Sequence, residues 1–210
     1  MNLTSRLFAL LFILNITSNA KATVDDDQLI TMLGADLKDH KVYFIRDYHP
    51  QFGYIPALYY FDLKSKAPSN LIEVKSIYKK IDDKNFENSL TKLNKEIDKI
   101  KSRLVSLKQI NKSIASVETT KPSEVKGQFW LNADDLIITK YSQEYIVKNP
   151  PSHRSKVEKN ISYETPEINI INIFSTPKEL GNYQIGIVRY LGVPTEFGYR
   201  KDDAVLLAPQ

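Results

Sequence analysis

Between Asp82 and Ser116 apolar residues return every three or four positions: Phe86, Leu90, Leu93, Ile97, Ile100, Leu104, Leu107 and Ile114, with one gap at Asn111. No Pro or Gly interrupts the run, and the flanking positions are polar and largely charged. This spacing is that of a helical seam, and it predicts one long, coiled-coil-prone helix over 82–118. A helix of about 33 residues would reach roughly 50 Å. It would overshoot a small domain, so it needs a partner helix, from a second copy of the chain or by folding back. The plainer alternative is a helix lying on a neighbouring sheet, with the stripe as core. Asn111 either sets the register of the seam or marks where it frays.

On either side of this segment the texture changes. Residues 25–38 read as a short helix, with acids in the first turn and Leu29, Ile30, Leu33 and Leu37 on one stripe. Val42–Arg46, Ile55–Leu63 and Leu71–Ser76 are rich in aromatic and β-branched residues and read as strands. Residues 119–127 and 147–167 read as linkers, the second containing Pro150, Pro151 and Pro166, and Phe129–Tyr141 as strand and turn. Ile168–Phe174, Tyr183–Leu191 and Ala204–Leu207 complete the chain as three more strands.

The N-terminus carries a different signal. Arg6 precedes the apolar run Leu7–Leu14, and a polar stretch ends in Ala20-Lys21-Ala22. A basic start, a short apolar run and an A-x-A site make a secretory signal peptide over 1–22. The run is too short for a membrane span, and no later stretch reaches spanning length. Export places the protein in the periplasm or outside the cell, the periplasm being favoured by a Lys-, Asn- and Ile-rich, bacterial-looking composition. The formal net charge of +4 falls by two on cleavage, because the segment holds Arg6 and Lys21 and no acid. With opposite charges interspersed along the rest, no dedicated nucleic-acid face is expected. The absence of Cys excludes disulfides, thiolate chemistry and a lipid-modified Cys.

The two β regions resemble each other. Tyr43–Arg46 leads through Pro50 and Gly53 into Tyr54–Asp62, and Ile171–Phe174 leads through Pro177 and Gly181 into Gln184–Gly192. The second copy, QIGIVRYLG after a Pro-containing loop, is similar to the opening of bacterial SH3 (SH3b) domains. Gly127-Gln128-Phe129-Trp130 is similar to that family's later GxW strand. The second copy has no Trp, only Asp203–Leu207. The resemblance implies an α+β protein with two small SH3-like β modules, one over 41–81 and 125–146 and the other over 168–210. The long helix would be inserted in or between them. It also implies binding of a protein or of peptidoglycan in the cell envelope, with no catalytic residues, cofactor or metal. Tyr48, Phe52, Tyr54 and Trp130 are the expected contact residues, and a homo-oligomer could form through the coil. For Trp130, Tyr59, Tyr60 and Tyr190 the competing role is packing within strands.

One pattern points to an enzyme instead. Asp62 followed by Glu73-Val74-Lys75 resembles the PD-(D/E)xK nuclease motif, in which two strand carboxylates hold Mg²⁺ and a Lys positions the attacking water. On an alternating strand, however, Glu73 and Lys75 also make an ordinary exposed pair. His40, His49 and His153 have no zinc-site spacing, and no P-loop, GxGxxG or G-x-S-x-G occurs. The reading is therefore a non-enzymatic, exported binding or scaffold protein. The alternatives are envelope assembly through the coil and the Mg²⁺-dependent nuclease.

Overall fold

A computed structural model describes residues 27–48, 55–78, 86–124, 129–131, 136–138, 140–149, 158–163, 167–191 and 200–207. Two of the helical expectations do not survive. Residues expected to form a short helix over 25–38 form strand β1, Gln28–Asp36. The expected long helix over 82–118 is a helix of 16 residues, α1, Phe86–Lys101. The α+β arrangement of two SH3-like modules around a coiled coil is likewise overturned. Both β regions enter one sheet.

That sheet has eight strands in the order β4-β3-β2-β1-β14-β13-β12-β5. Its members are β1, β2 (Lys41–Tyr48), β3 (Ala57–Asp62), β4 (Leu71–Glu73), β5 (Lys108–Ile110), β12 (Ile168–Ser175), β13 (Gln184–Leu191) and β14 (Arg200–Leu207). All neighbours are antiparallel except β1 and β14, which run parallel and meet at Gln28 and Lys201. The repeated halves of the sequence are thus the hairpins β2–β3 and β12–β13, on opposite flanks of the β1–β14 junction. Segments expected as linkers also pair. β10 (Lys140–Lys148) is flanked by β11 (Glu158–Tyr163) on one side, and by β6 (Ser116–Thr119) and β7 (Ser123–Glu124) on the other. β8 (Phe129–Leu131) and β9 (Leu136–Ile138) make a separate hairpin.

β1 misleads as a sequence because it is bulged. Ile30 and Met32 pack on the inner face of the sheet, whereas Leu33 packs on the outer. The register then shifts between Met32 and Gly34, and Ala35 returns to the inner core. The shift breaks strict alternation and leaves a spacing that imitates a helix. Gly34, at φ 141°, sits where a Cβ would come within 2.6 Å of the Val105 carbonyl oxygen, so the close approach excludes a side chain.

Tertiary pairing ends α1. Ser102 N–H still reaches Asp98 O, but Arg103 and Leu104 donate to Ile100 and Lys101, three residues back. The tightened turn releases Val105, which exchanges two 2.9 Å hydrogen bonds with Ala35. Val105 continues into β5, which pairs with β12. A hydrogen-bonded circuit is thereby closed through β1, 105–110, β12, β13 and β14. Leu93, Ile97 and Ile100 of the seam are buried. Leu104 packs with Ile100 on the outer face, but Leu107 packs in the inner core, so the later seam residues follow a strand rather than a helix. Asn111 belongs to no seam. Its Oδ1 accepts the Ser113 N–H at 3.0 Å and caps a 3-10 turn, Lys112–Ile114.

Three apolar clusters result. Val42, Phe44, Phe61, Ile185, Ile187, Ala204 and Leu206 join both halves of the sheet on its inner face. Under α1, Ile100 and Leu104 cover Leu33, Tyr43, Ile45, Leu58 and Tyr60 on the outer face of β1–β3. Over the other half, Val117 of β6 and Tyr145 and Val147 of β10 cover Ile168, Val188, Tyr190, Val205 and Leu207.

Candidate functional site

Where β1 parts from β14, charged side chains fill the gap. Asp202 and Asp203 are adjacent on β14 and turn to opposite faces. Both are buried. Asp202 accepts two hydrogen bonds from Arg189 of β13, from Nε at 2.7 Å and Nη2 at 2.9 Å. This forked pair lies directly across the ladder. Its hydrogen bond to Asp202 is the main reason that the Arg189 pKa is raised, against the effect of its own burial. Asp202 Oδ2 also accepts the Ile30 N–H at 3.2 Å, replacing the strand partner that β1 has lost.

Arg46 crosses from β2 and completes the junction. Its Nη2 donates to the Asp202 carbonyl at 3.1 Å and to Asp203 Oδ1 at 3.0 Å, while its guanidinium lies over the Tyr59 ring. Asp203 Oδ2 accepts the hydroxyl of Tyr145 at 3.1 Å, which ties the second sheet to the first. Arg46 Nε remains buried without an acceptor, a cost that the ion pair must offset. At the rim Asp27 accepts from the Arg200 backbone N–H at 2.6 Å and from its Nε at 2.8 Å. Burial alone would raise the Asp27 carboxyl, but the Arg200 contacts outweigh it, and its pKa lies below the usual value.

A second ion pair stands where the chain leaves α1. Asp36 builds the β1–β2 turn by accepting the N–H groups of Lys38 and Asp39, both at 3.0 Å. It also accepts Arg103 Nε at 2.7 Å. Burial again acts upward on Asp36. The Asp39 N–H and the Arg103 guanidinium prevail, and the carboxyl is held below its ordinary pKa. Tyr43, whose hydroxyl accepts a long 3.4 Å bond from Arg103, is pushed upward by burial. These charges hold strands and turns together.

The nuclease-like residues are not assembled. Glu73 stands across the ladder from Tyr59. Asp62 lies three residues beyond Tyr59, so its side chain leaves the opposite face of the sheet. Asp62 Oδ1 accepts the Lys64 N–H in a turn, and Lys75 begins a 3-10 turn beyond the end of β4. Among the described residues no group of three or more His, Asp or Glu is placed to hold a metal ion, and no helix is long and apolar enough to cross a membrane.

Of the expected contact residues, Tyr48 ends β2 opposite Gln28, and Trp130 is the middle residue of β8. Their side chains, and all of Phe52 and Tyr54, lie outside the described residues.

An open groove of about 440 Å³ went unread in the sequence. Lys112, Ser113, Ala115 and Val117 line one wall and Ile168 and Ile170 the other. β5 covers β12 only from Ile173 to Ser175, so on that side Ile168–Asn172 has no strand partner among the described residues. Among the described residues β6 pairs with β10 on one side alone. In an antiparallel ladder every second residue turns its N–H and C=O away from its partner. Both walls therefore border the groove with a free strand edge. The uncharged run Ile168–Ser175 is the sequence signal that could have marked it. Comparison of the chain with protein-family models, with curated proteins and with solved structures finds no match.

Proposed function

We propose that this chain is an exported, non-enzymatic binding protein of the cell envelope, holding an envelope protein against its sheets. The observation that carries the reading is the groove bordered by the free edges of β12 and β6. The ion pairs of the fold support it from the other side. Arg46, Arg189, Asp202 and Asp203 are engaged with one another, as a rigid scaffold requires. Export rests on the Arg6, Leu7–Leu14 and Ala20-Lys21-Ala22 pattern. The assembly role once expected of a coil is not carried forward, because Leu93, Ile97 and Ile100 are spent inside the fold.

Expression of the 210-residue chain in a Gram-negative host tests both parts. The expected product starts at Thr23 and is found in the periplasmic fraction. A photo-cross-linking residue at Ser113 should capture an envelope protein that the same residue at exposed Lys66 does not. Retention of residues 1–22 in the cytoplasm, or equal capture at both positions, would overturn the reading.

A further inference from the structure

We infer that the open edge of β12 takes up an extended peptide as an added strand, with an acidic residue of that peptide facing Lys112. This deepens the binding role proposed above and rests on it. Three observations lead there.

The edge carries no guard in its own residues, and the 3-10 turn Lys112–Ile114 and β6 stand beside it as the facing wall of the groove. Proteins blunt an exposed strand edge with charges, prolines or a covering element. The run Ile-Asn-Ile-Ile-Asn from 168 to 172 has neither charge nor Pro. The facing edge of β6 is treated differently, with Glu118 in a 2.6 Å ion pair with Lys148. An apolar strand edge with free backbone groups is a template for another strand, and the chemistry it recognises is an extended main chain.

The same edge already accepts a strand a little further on. β5 pairs with β12 through Ile173–Ile110, Phe174–Gln109 and Ser175–Lys108. Gln109 Nε2 then donates to Asn172 Oδ1 at 2.9 Å. At Asn111 the chain caps the 3-10 turn and leaves the ladder, the turn itself staying beside β12 across the groove. A peptide in line with β5 would resume the ladder where the chain abandons it.

Charge selects the occupant. Among the described residues Lys112 is exposed, is the one charged side chain lining the groove, and makes no ion pair. No acid among the described residues lines the groove to meet it. Two copies joined edge to edge would bring two Lys112 ammonium groups to one cleft, which disfavours a second copy and favours an acidic peptide.

The test follows the amide signals of the purified protein by NMR with three acetylated, amidated heptapeptides. The first is Ser-Val-Glu-Val-Thr-Val-Ser. The second has Lys for Glu, and the third has Pro for the central Val. The expected result is that the Glu peptide shifts the 168–172 amides and slows their hydrogen exchange. It should bind at least about threefold more tightly than the Lys peptide. Lys112→Glu, on an exposed turn, should invert that order, and the Pro peptide should lose binding. Absence of binding, equal affinity for the two charged peptides, shifts confined to other surfaces, or self-association through 168–172 without peptide would each overturn the proposal. Cytoplasmic retention in the export experiment would overturn the envelope role and leave this result standing, so the two failures are distinguishable.

Discussion

The outer face of the large sheet is covered in two ways. Over β1–β3 the cover is α1 and the turn that leaves it, and the contact is apolar: Ile100 of the helix and Leu104 just beyond it on Leu33, Tyr43, Ile45, Leu58 and Tyr60, with the Asp36–Arg103 pair at the margin. Over β12–β14 the cover is a second sheet, and beside its apolar contacts runs the buried chain Arg46–Asp203–Tyr145. An apolar contact is tolerant of small shifts. A hydrogen-bonded charge is not, because losing one partner leaves the other buried and unpaired. The helix side is therefore held by area, and the sheet side is held in register.

This contrast can be broken in graded steps. Asp202→Ala should have the largest effect, about 3 kcal/mol or more, since it strands Arg189 and the Ile30 N–H together. Chemical denaturation measures it. Leu93→Ala, at a site only 1% exposed, should cost about 2–4 kcal/mol through transfer and cavity terms. Its loss should be indifferent to salt, unlike that of Asp202→Ala. Gly34→Ala should destabilise by about 1–3 kcal/mol, because φ 141° and the Val105 carbonyl both oppose a Cβ. Tyr145→Phe removes one hydrogen bond and should cost about 1 kcal/mol.

The smallest expected effect comes from acid. Asp36 and Asp27 have folded-state pKa values below their ordinary ones, so each contributes stability that is present above the unfolded pKa. That contribution is lost as pH falls through the folded value. Asp36→Asn should lose that contribution at neutral pH and so flatten the acid limb of the stability curve, the two proteins converging at low pH. An unchanged acid limb would contradict the pairing with Arg103.

Much of the strand content could be read from residues, because β2, β3, β12 and β13 are rich in aromatic and β-branched residues and lie near Pro or Gly. β1 could not, since the bulge at Gly34 moves Ala35 back into phase with the core and conceals the period. α1 was overextended for a related reason. Leu104 and Leu107 keep helical spacing while packing in two different cores, and only the pairing of Val105 with Ala35 decides against the helix. The joining of the two repeats into one sheet depends on β1 meeting β14, a contact between residues 28 and 201. The polar junction has the same character, with Arg46 bonding to groups 156 and 157 residues away. No local pattern marks such partners. In the groove Ile168–Asn172 stood in plain view as a strand, but its free edge is a property of the sheet order.

The central claim is that the chain turns out of α1 into a strand which closes the circuit between β1 and β12. Cross-strand NOEs and backbone chemical shifts of the purified protein test it most directly. The account predicts contacts between Ala35 and Val105 and between Phe174 and Gln109, with helical shifts ending near Lys101. Helical shifts continuing through 104–114, with no contact between residues 35 and 105, would contradict it.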